Sequence, residues 1–211
     1  MIRIAVLVSG GGTNLQALID AQKAGKLKSG KLALVVSSNA EAYALTRAGE
    51  AGIETAVLAR MESPLVYGEA LIALLQSHRI DMIVLAGFML ILHPVVVQAY
   101  AGRIVNVHPS LIPAFCGAGY YGLKVHKAAL DCGVKVTGAT VHLVNEIPDG
   151  GQILAQKSVK VRRNDTPETL QKRVMEKAEW VLLPKQVEKL AKKLLKERGA
   201  EKHGKKEGAA Q

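Results

Sequence analysis

The 211-residue chain predicts a single-domain α/β fold: a mostly parallel, twisted sheet with helices on both faces and an antiparallel extension towards the C-terminus. Three observations predict it. Short apolar runs alternate with helical patterns from the N-terminus to about residue 132, the mark of βαβ units. Two β-branched runs then follow with only a turn between them, which suits a hairpin-like pair added to the sheet. A hydrophobic content of 49% at this length is enough to bury most of one domain's surface, and no linker or internal repeat divides the chain.

In chain order, strands are expected near residues 2–8, 32–37, 54–58, 82–86 and 103–107, with helices near 13–25, 41–51, 65–78 and 93–100 between them. After Pro109 comes a glycine-rich, aromatic loop, SLIPAFCGAGYYG, and then a helix near 122–132. The runs VKVTGATVHLV and GQILAQKSVKV, joined by the turn NEIPDGG, supply the antiparallel pair. From Thr166, Thr-Pro-Glu places proline at the first helical position and opens a last helix running to about Leu195. Pro184 is expected to kink or interrupt it. The domain is therefore expected to span 1–195, with 196–211 a basic, flexible tail.

Composition narrows the function. The apolar segments fall far below the roughly 20 residues that cross a bilayer, and no secretory signal opens the chain, so a cytoplasmic protein without a membrane partner is expected. Two cysteines, Cys116 and Cys132, suit a reducing compartment better than a disulfide framework. The net charge is +10, and half of it lies after residue 184, where nine Lys or Arg face four Glu. That segment has no aromatic residue for base stacking, so no nucleic-acid partner is expected, and the remaining charge suits small anionic substrates.

The first strand ends in Ser9-Gly10-Gly11-Gly12-Thr13-Asn14, directly before the helical pattern LQALIDA. Small residues there let backbone N–H groups at a helix N-terminus face an anion. A tight turn without ligand would use the same residues. Leu15 stands where the dinucleotide fingerprint needs its third glycine, and strand two ends Ser37-Ser38-Asn39 with no acid, which argues against NAD. The lysine of a P-loop is also missing.

Asn106 and His108 are two apart at a strand end, so both side chains project to one face, at the carboxyl edge where open α/β sheets bind ligands. Histidine offers a proton near neutral pH, and asparagine an uncharged amide donor for a developing oxyanion. A carboxylate hydrogen-bonded to the imidazole would orient it and favour its charged form. Asp149, in the turn Pro148-Asp149-Gly150-Gly151, is the best-placed candidate. A strand end that satisfies backbone groups and a common Pro-Asp-Gly turn account for the same residues separately. His126 and His142 could join His108 around zinc, but no short ligand pair is present and no metal is expected. Cys116 has no activating neighbour in the sequence.

The stretches SGGGTNLQAL, IVLAGFMLIL, IVNVHPSLIPAF, GATVHLV and DGGQIL carry a resemblance. In order and spacing the chain resembles the formyltransferase superfamily and, over about residues 1–190, its phosphoribosylglycinamide formyltransferase family. The motif Asn-x-His-Pro-Ser-Leu followed by His-x-Val-x-x-x-x-Asp-x-Gly is specific to the superfamily. Methionyl-tRNA formyltransferase adds a C-terminal domain and formyltetrahydrofolate deformylase an N-terminal one, and the chain is expected to have room for neither.

The resemblance implies a Rossmann-like formyltransferase fold and a reaction of purine biosynthesis. The amine of glycinamide ribonucleotide attacks the formyl carbon of the cosubstrate 10-formyltetrahydrofolate, without a metal. It implies that Asn106 stabilises the oxyanion, that His108 is the general acid and that Asp149 is the carboxylate supporting the histidine. Gly12, Thr13 and Asn14 match the phosphate-binding turn, and Glu179 a glutamate that contacts the ribonucleotide. Folate is implied along Gly87, Phe88, Met89, Leu90, Ile91 and Leu92, beside Asn106. Three positions depart from the family. Leu90 and Pro64 stand where arginines are common, with Arg60 a candidate replacement for the latter, and Trp180 stands where histidine often follows the glutamate. Two other functions use the same features: a hydrolase releasing formate from formyl-folate, and a nucleic-acid module using the basic tail. A monomer and a weak homodimer are equally compatible with the sequence.

Overall fold

A computed structural model describes residues 1–207, with the side chains of residues 1–200. The expected alternation is present. Strands β1 (Ile2–Val8), β2 (Gly30–Ser37), β3 (Glu54–Val57), β4 (Met82–Leu85) and β5 (Ile104–His108) are linked by helices α1 (Thr13–Lys23), α2 (Tyr43–Glu50), α3 (Pro64–Ser77) and α4 (Pro94–Ala99). Helix α5 (Leu123–Asp131) leads to β6 (Val136–Leu143) and β7 (Ile153–Lys160). The sheet order is β3-β2-β1-β4-β5-β6-β7. Strands β1 to β5 are parallel, while β6 pairs antiparallel with both β5 and β7.

Both faces of the sheet are covered, and period-two alternation assigns side chains to them. Ile2, Ile4, Val6 and Val8 of β1 join a core with Leu15, Leu18 and Ile19 of α1. Ala5 and Leu7 point the other way, to Tyr67, Leu71 and Leu75 of α3 and Val96 of α4. A smaller cluster sits under the antiparallel extension, with Ala139 and Val159 against Leu170 and Val174. Chain order reverses at β1 and β4: β1 leads outward to β2, and the chain later returns to place β4 on its other side. The crevice beyond the carboxyl ends of strands at such a reversal is where ligands bind in open α/β sheets.

The C-terminal segment differs from its expected course. Helix α6 (Pro167–Val174) starts as expected: Thr166 accepts from the Thr169 N–H, Thr169 Oγ1 accepts from the Thr166 N–H, and Pro167 takes the first position. The interruption, however, is a π-helical turn at Met175–Glu179, and Pro184 lies inside the following helix α7 (Trp180–Glu207). A π turn spends an extra residue, which shifts the phase of every later side chain. Here it buries both Ala178 and Glu179. Helix α7 also continues past the expected end near Leu195, and Arg198 forms an ion pair with Asp81 at the start of β4. The final residues 208–211 of the expected tail lie outside the described residues.

Candidate active site

The carboxyl end of β5 presents Asn106 and His108 on one face, as their spacing predicts. Register with antiparallel β6 sets Asn106 opposite His142 and His108 opposite Thr140. Asp149 arrives from the turn after β6 with φ 56, the left-handed conformation that Asp and Asn tolerate better than most residues. Its Oδ2 lies 3.4 Å from His108 Nδ1 and accepts a 2.8 Å hydrogen bond from the Gly117 N–H. Its Oδ1 lies 3.4 Å from Asn106 Nδ2 and 3.5 Å from His142 Nε2. Asp149 therefore meets Asn106 and His108, about forty residues before it in the chain, together with His142.

Partners fix the histidine rings. A carbonyl only accepts, so the 2.8 Å contact of His108 Nε2 with Phe115 O places a hydrogen on Nε2 and leaves Nδ1 towards Asp149. At 3.4 Å that contact is longer than a normal N–H···O bond, so a proton on Nδ1 is not sequestered by the carboxylate. His142 Nδ1 likewise donates to Leu143 O, 2.8 Å away. Asn106 Nδ2 lies 3.1 Å from His142 Nε2 and donates to Asp149 Oδ1 at 3.4 Å, so both of its hydrogens have partners, the second through the longer and weaker contact. Burial raises the Asp149 carboxyl, but the His142 contact, the Gly117 N–H and the two nearby imidazoles outweigh it and hold the group below the usual carboxylate range. The loop from Ser110 to Gly122 is tied to the same network. Thr140 Oγ1 donates to Ser110 O at 2.7 Å and accepts from the Ile112 N–H at 3.1 Å.

A cavity of about 320 Å³ opens over this cluster, lined by Asn106, His108 and Asp149 on one side and residues 87–92 on the other. The Met89 N–H is held by Ser9 Oγ at 2.9 Å, whereas the N–H groups of Leu90, Ile91 and Leu92 have no partner among the described residues. Unpaired backbone donors beside apolar side chains suit a flat, polar-edged ring. A side cavity of about 290 Å³ shares Met89, Leu90 and Ile91 with the first and is completed by Arg60, Met61, Pro64 and Tyr67.

At the end of β1, Gly12 has φ 70 and caps α1 without a side-chain hydrogen bond. A β-carbon there would stand 2.7 Å from Ala44 Cβ, so α2 packs against a position open only to glycine. The Thr13, Asn14 and Leu15 N–H groups at the start of α1 are free to hold an anion. Arg47 braces the turn by donating to Gly11 O at 2.9 Å. Behind it, Asn14 Nδ2 donates to the buried Glu179 carboxylate at 2.6 Å. Burial pushes Glu179 up to about 7, a shift that the Asn14 hydrogen bond partly offsets. As the chain stands, Glu179 supports the turn from beneath and presents no open surface.

Comparison with known proteins sets this geometry in a family. Residues 2–187 match the family described as Formyl transferase. The phosphoribosylglycinamide formyltransferase of Haemophilus influenzae is 43% identical over 186 residues, which cover 87% of this chain and 84% of its own length. The chain belongs to the phosphoribosylglycinamide formyltransferase family. The Escherichia coli protein of the same name is 41% identical over 175 residues, 82% of this chain and 80% of its own. The crystal structure of glycinamide ribonucleotide transformylase 1 from Symbiobacterium toebii superposes with a TM-score of 0.85 at 39% identity, covering 91% of this chain and 88% of that one.

Two of the three departures from the formyltransferase pattern meet in space, while Trp180 lies apart beside α1. Leu90 and Pro64 both line the side cavity, and so does Arg60, the candidate replacement. The Tyr67 hydroxyl, buried and without a hydrogen-bond partner among the described residues, belongs to the same wall. Burial pushes that phenol up to about 12. Sequence reasoning considered His142 only as a metal ligand and missed its place beside Asn106. The available signal was Thr140 and His142, a polar pair at period two in an apolar strand, mirroring Asn106 and His108. Phe115 O and the Gly117 N–H are backbone groups and left no such signal.

Proposed function

We propose that the chain transfers the formyl group of 10-formyltetrahydrofolate to the amine of glycinamide ribonucleotide through Asn106, His108 and Asp149. The observation that carries this reading is the meeting of these three side chains in a cavity whose opposite wall is the 87–92 stretch. The neutral amine attacks the formyl carbon, a carbon–nitrogen bond forms, and the formyl oxygen takes up negative charge. The Asn106 amide, turning a hydrogen from its long contact with Asp149 to the substrate, and the protonated His108 ring stabilise that oxygen in a site shielded from bulk water. Collapse breaks the bond to the folate nitrogen, which leaves with one proton as the new amide loses one. Asp149 balances the imidazolium and positions a water that carries the proton between the two nitrogens.

The pterin lies along Leu90, Ile91 and Leu92, whose free N–H groups match its ring edge. The ribonucleotide phosphate sits on the turn Gly12-Thr13-Asn14, where the dipole of α1 favours an anion, and Glu179 reaches the ribose after leaving Asn14. In the side cavity, Arg60 and the Tyr67 hydroxyl are both donors, and they take the carboxylate-bearing arm of the folate in place of the usual arginines. The reading is tested by spectrophotometric turnover of a 10-formyl-folate with and without the ribonucleotide. Turnover that requires the ribonucleotide is expected, and it falls about 100- to 10,000-fold in His108→Ala. Ribonucleotide-independent release of formate would assign the hydrolase reaction instead.

A further inference from the structure

A groove larger than the active-site cavity begins at Thr13 of the phosphate turn and runs away from the reacting groups. Helices α1 and α7 lie side by side on one face of the sheet. At one end Asn14 of α1 donates to Glu179 of the π turn before α7, and at the other Glu188 of α7 accepts from Lys28 N, Ser29 N and Ser29 Oγ in the segment between α1 and β2. Between them runs a groove of about 840 Å³ that shares no lining residue with the active-site cavity. Its floor is apolar, made by Ala17, Ala21 and Ala24 along one stripe of α1 with Val181 and Pro184 across from it. From Thr13 to Lys23 the helical rise gives it a length of about 15 Å, and Lys26 lies just beyond that end.

The charges on its rim do not balance. Glu188 is committed to the three donors just named, and Asp20 accepts from Gln16 Nε2 at 2.9 Å. Arg47 is committed to Gly11 O and Gln16 Oε1 and stacks over Tyr43. Lys26, Lys185 and Lys189 also line the groove, and none has a carboxylate within ion-pair distance among the described residues. Two carboxylates, Asp20 and Glu188, stand against four cations, Lys26, Arg47, Lys185 and Lys189, so the excess charge is positive, beside an apolar floor. A second copy of this chain, at net charge +10, is a poor match for it. A nucleic acid strand would match the lysines and leave the apolar floor unused. The volume lies within the range of small-molecule sites.

We propose that this groove binds a small amphipathic anion, with an aromatic or aliphatic body along the alanine floor and a carboxylate, sulfonate or phosphate at Lys26, Lys185 and Lys189. The probe that tests it is 8-anilinonaphthalene-1-sulfonate, which combines an apolar ring system with one anionic group, titrated by fluorescence into the full chain at low salt. One saturable site with blue-shifted emission is expected. Reversing two charges together, Lys185→Glu with Lys189→Glu, weakens it about tenfold or more. Ala24→Glu, at an exposed floor position, does the same without disturbing the core, and thermal melts matching the parent confirm that both variants fold. The proposal is overturned if the native chain shows no saturable binding, or if the affinity is unchanged in both variants. Displacement of the probe by formyl-folate, with the groove variants binding normally, would place it in the active site and overturn the proposal equally.

Discussion

Asp149 is placed to serve both the proposed chemistry and the stability of the fold. Its two oxygens divide the work: Oδ2 faces His108 and takes the Gly117 N–H, while Oδ1 faces Asn106 and His142. Asp149→Asn keeps the shape and tolerates the φ of 56, and it removes the charge together with one of the two acceptor oxygens. Turnover is expected to fall about 100- to 10,000-fold, through kcat more than KM, because the imidazolium loses its counter-charge at the moment it forms. The same variant has a readout in stability. The folded carboxyl titrates below its unfolded value, so it contributes stability above roughly pH 4 that is lost as pH falls through the lower folded value. Acid unfolding followed by circular dichroism should therefore show Asp149→Asn losing less stability on acidification than the parent. Equal losses would mean that the aspartate titrates alike in the folded and unfolded chain.

At the scale of elements, legibility followed the range of the interaction. Strand β5 was readable because Asn106 and His108 obey a period of two within five residues, and the turn before α1 because its glycines are contiguous. His142 was not, since its meeting with Asn106 depends on a register between strands 36 residues apart in the chain. The π turn at Met175–Glu179 has no local signature, and Pro184, which does, drew the expected break to the wrong place. That turn carries a prediction of its own. It holds Glu179 fully buried with a carboxyl near 7, against an unfolded value of 4.5. A raised acid keeps its proton longer in the folded chain, so its contribution is complete below about pH 4.5 and is lost as pH rises to about 7, a change of roughly 3 kcal/mol. Denaturant unfolding across this window should show the parent losing stability relative to Glu179→Gln, whose amide does not titrate. Parallel curves would show that the buried carboxyl does not hold its proton.

Across the whole molecule, the sheet separates function from anchorage. Most of the groups proposed for chemistry lie at the carboxyl ends of β1, β4 and β5, namely the turn at Gly12, the stretch 87–92, and the pair Asn106 and His108, which Asp149 joins from the turn after β6. Asp81 lies at the opposite edge, where its Oδ2 accepts from the Arg3 N–H at 2.7 Å and its Oδ1 pairs with Arg198 of α7. The basic C-terminal segment is thus tied to the edge of the sheet far from the reacting groups, although half of the net charge lies in it and after residue 184. Truncation after Leu195 removes the Arg198–Asp81 pair and the last turns of α7, and leaves every residue of the cavity in place. An ion pair at this exposure contributes up to about 1 kcal/mol, which corresponds to a fall in Tm of roughly 2–4 °C for a chain of this size. Turnover and both substrate KM values are expected to match the full chain. A truncated protein that melts normally but no longer turns over would mean that the tail reaches the carboxyl edge, and the division of the sheet into a reactive and an anchoring edge would fail.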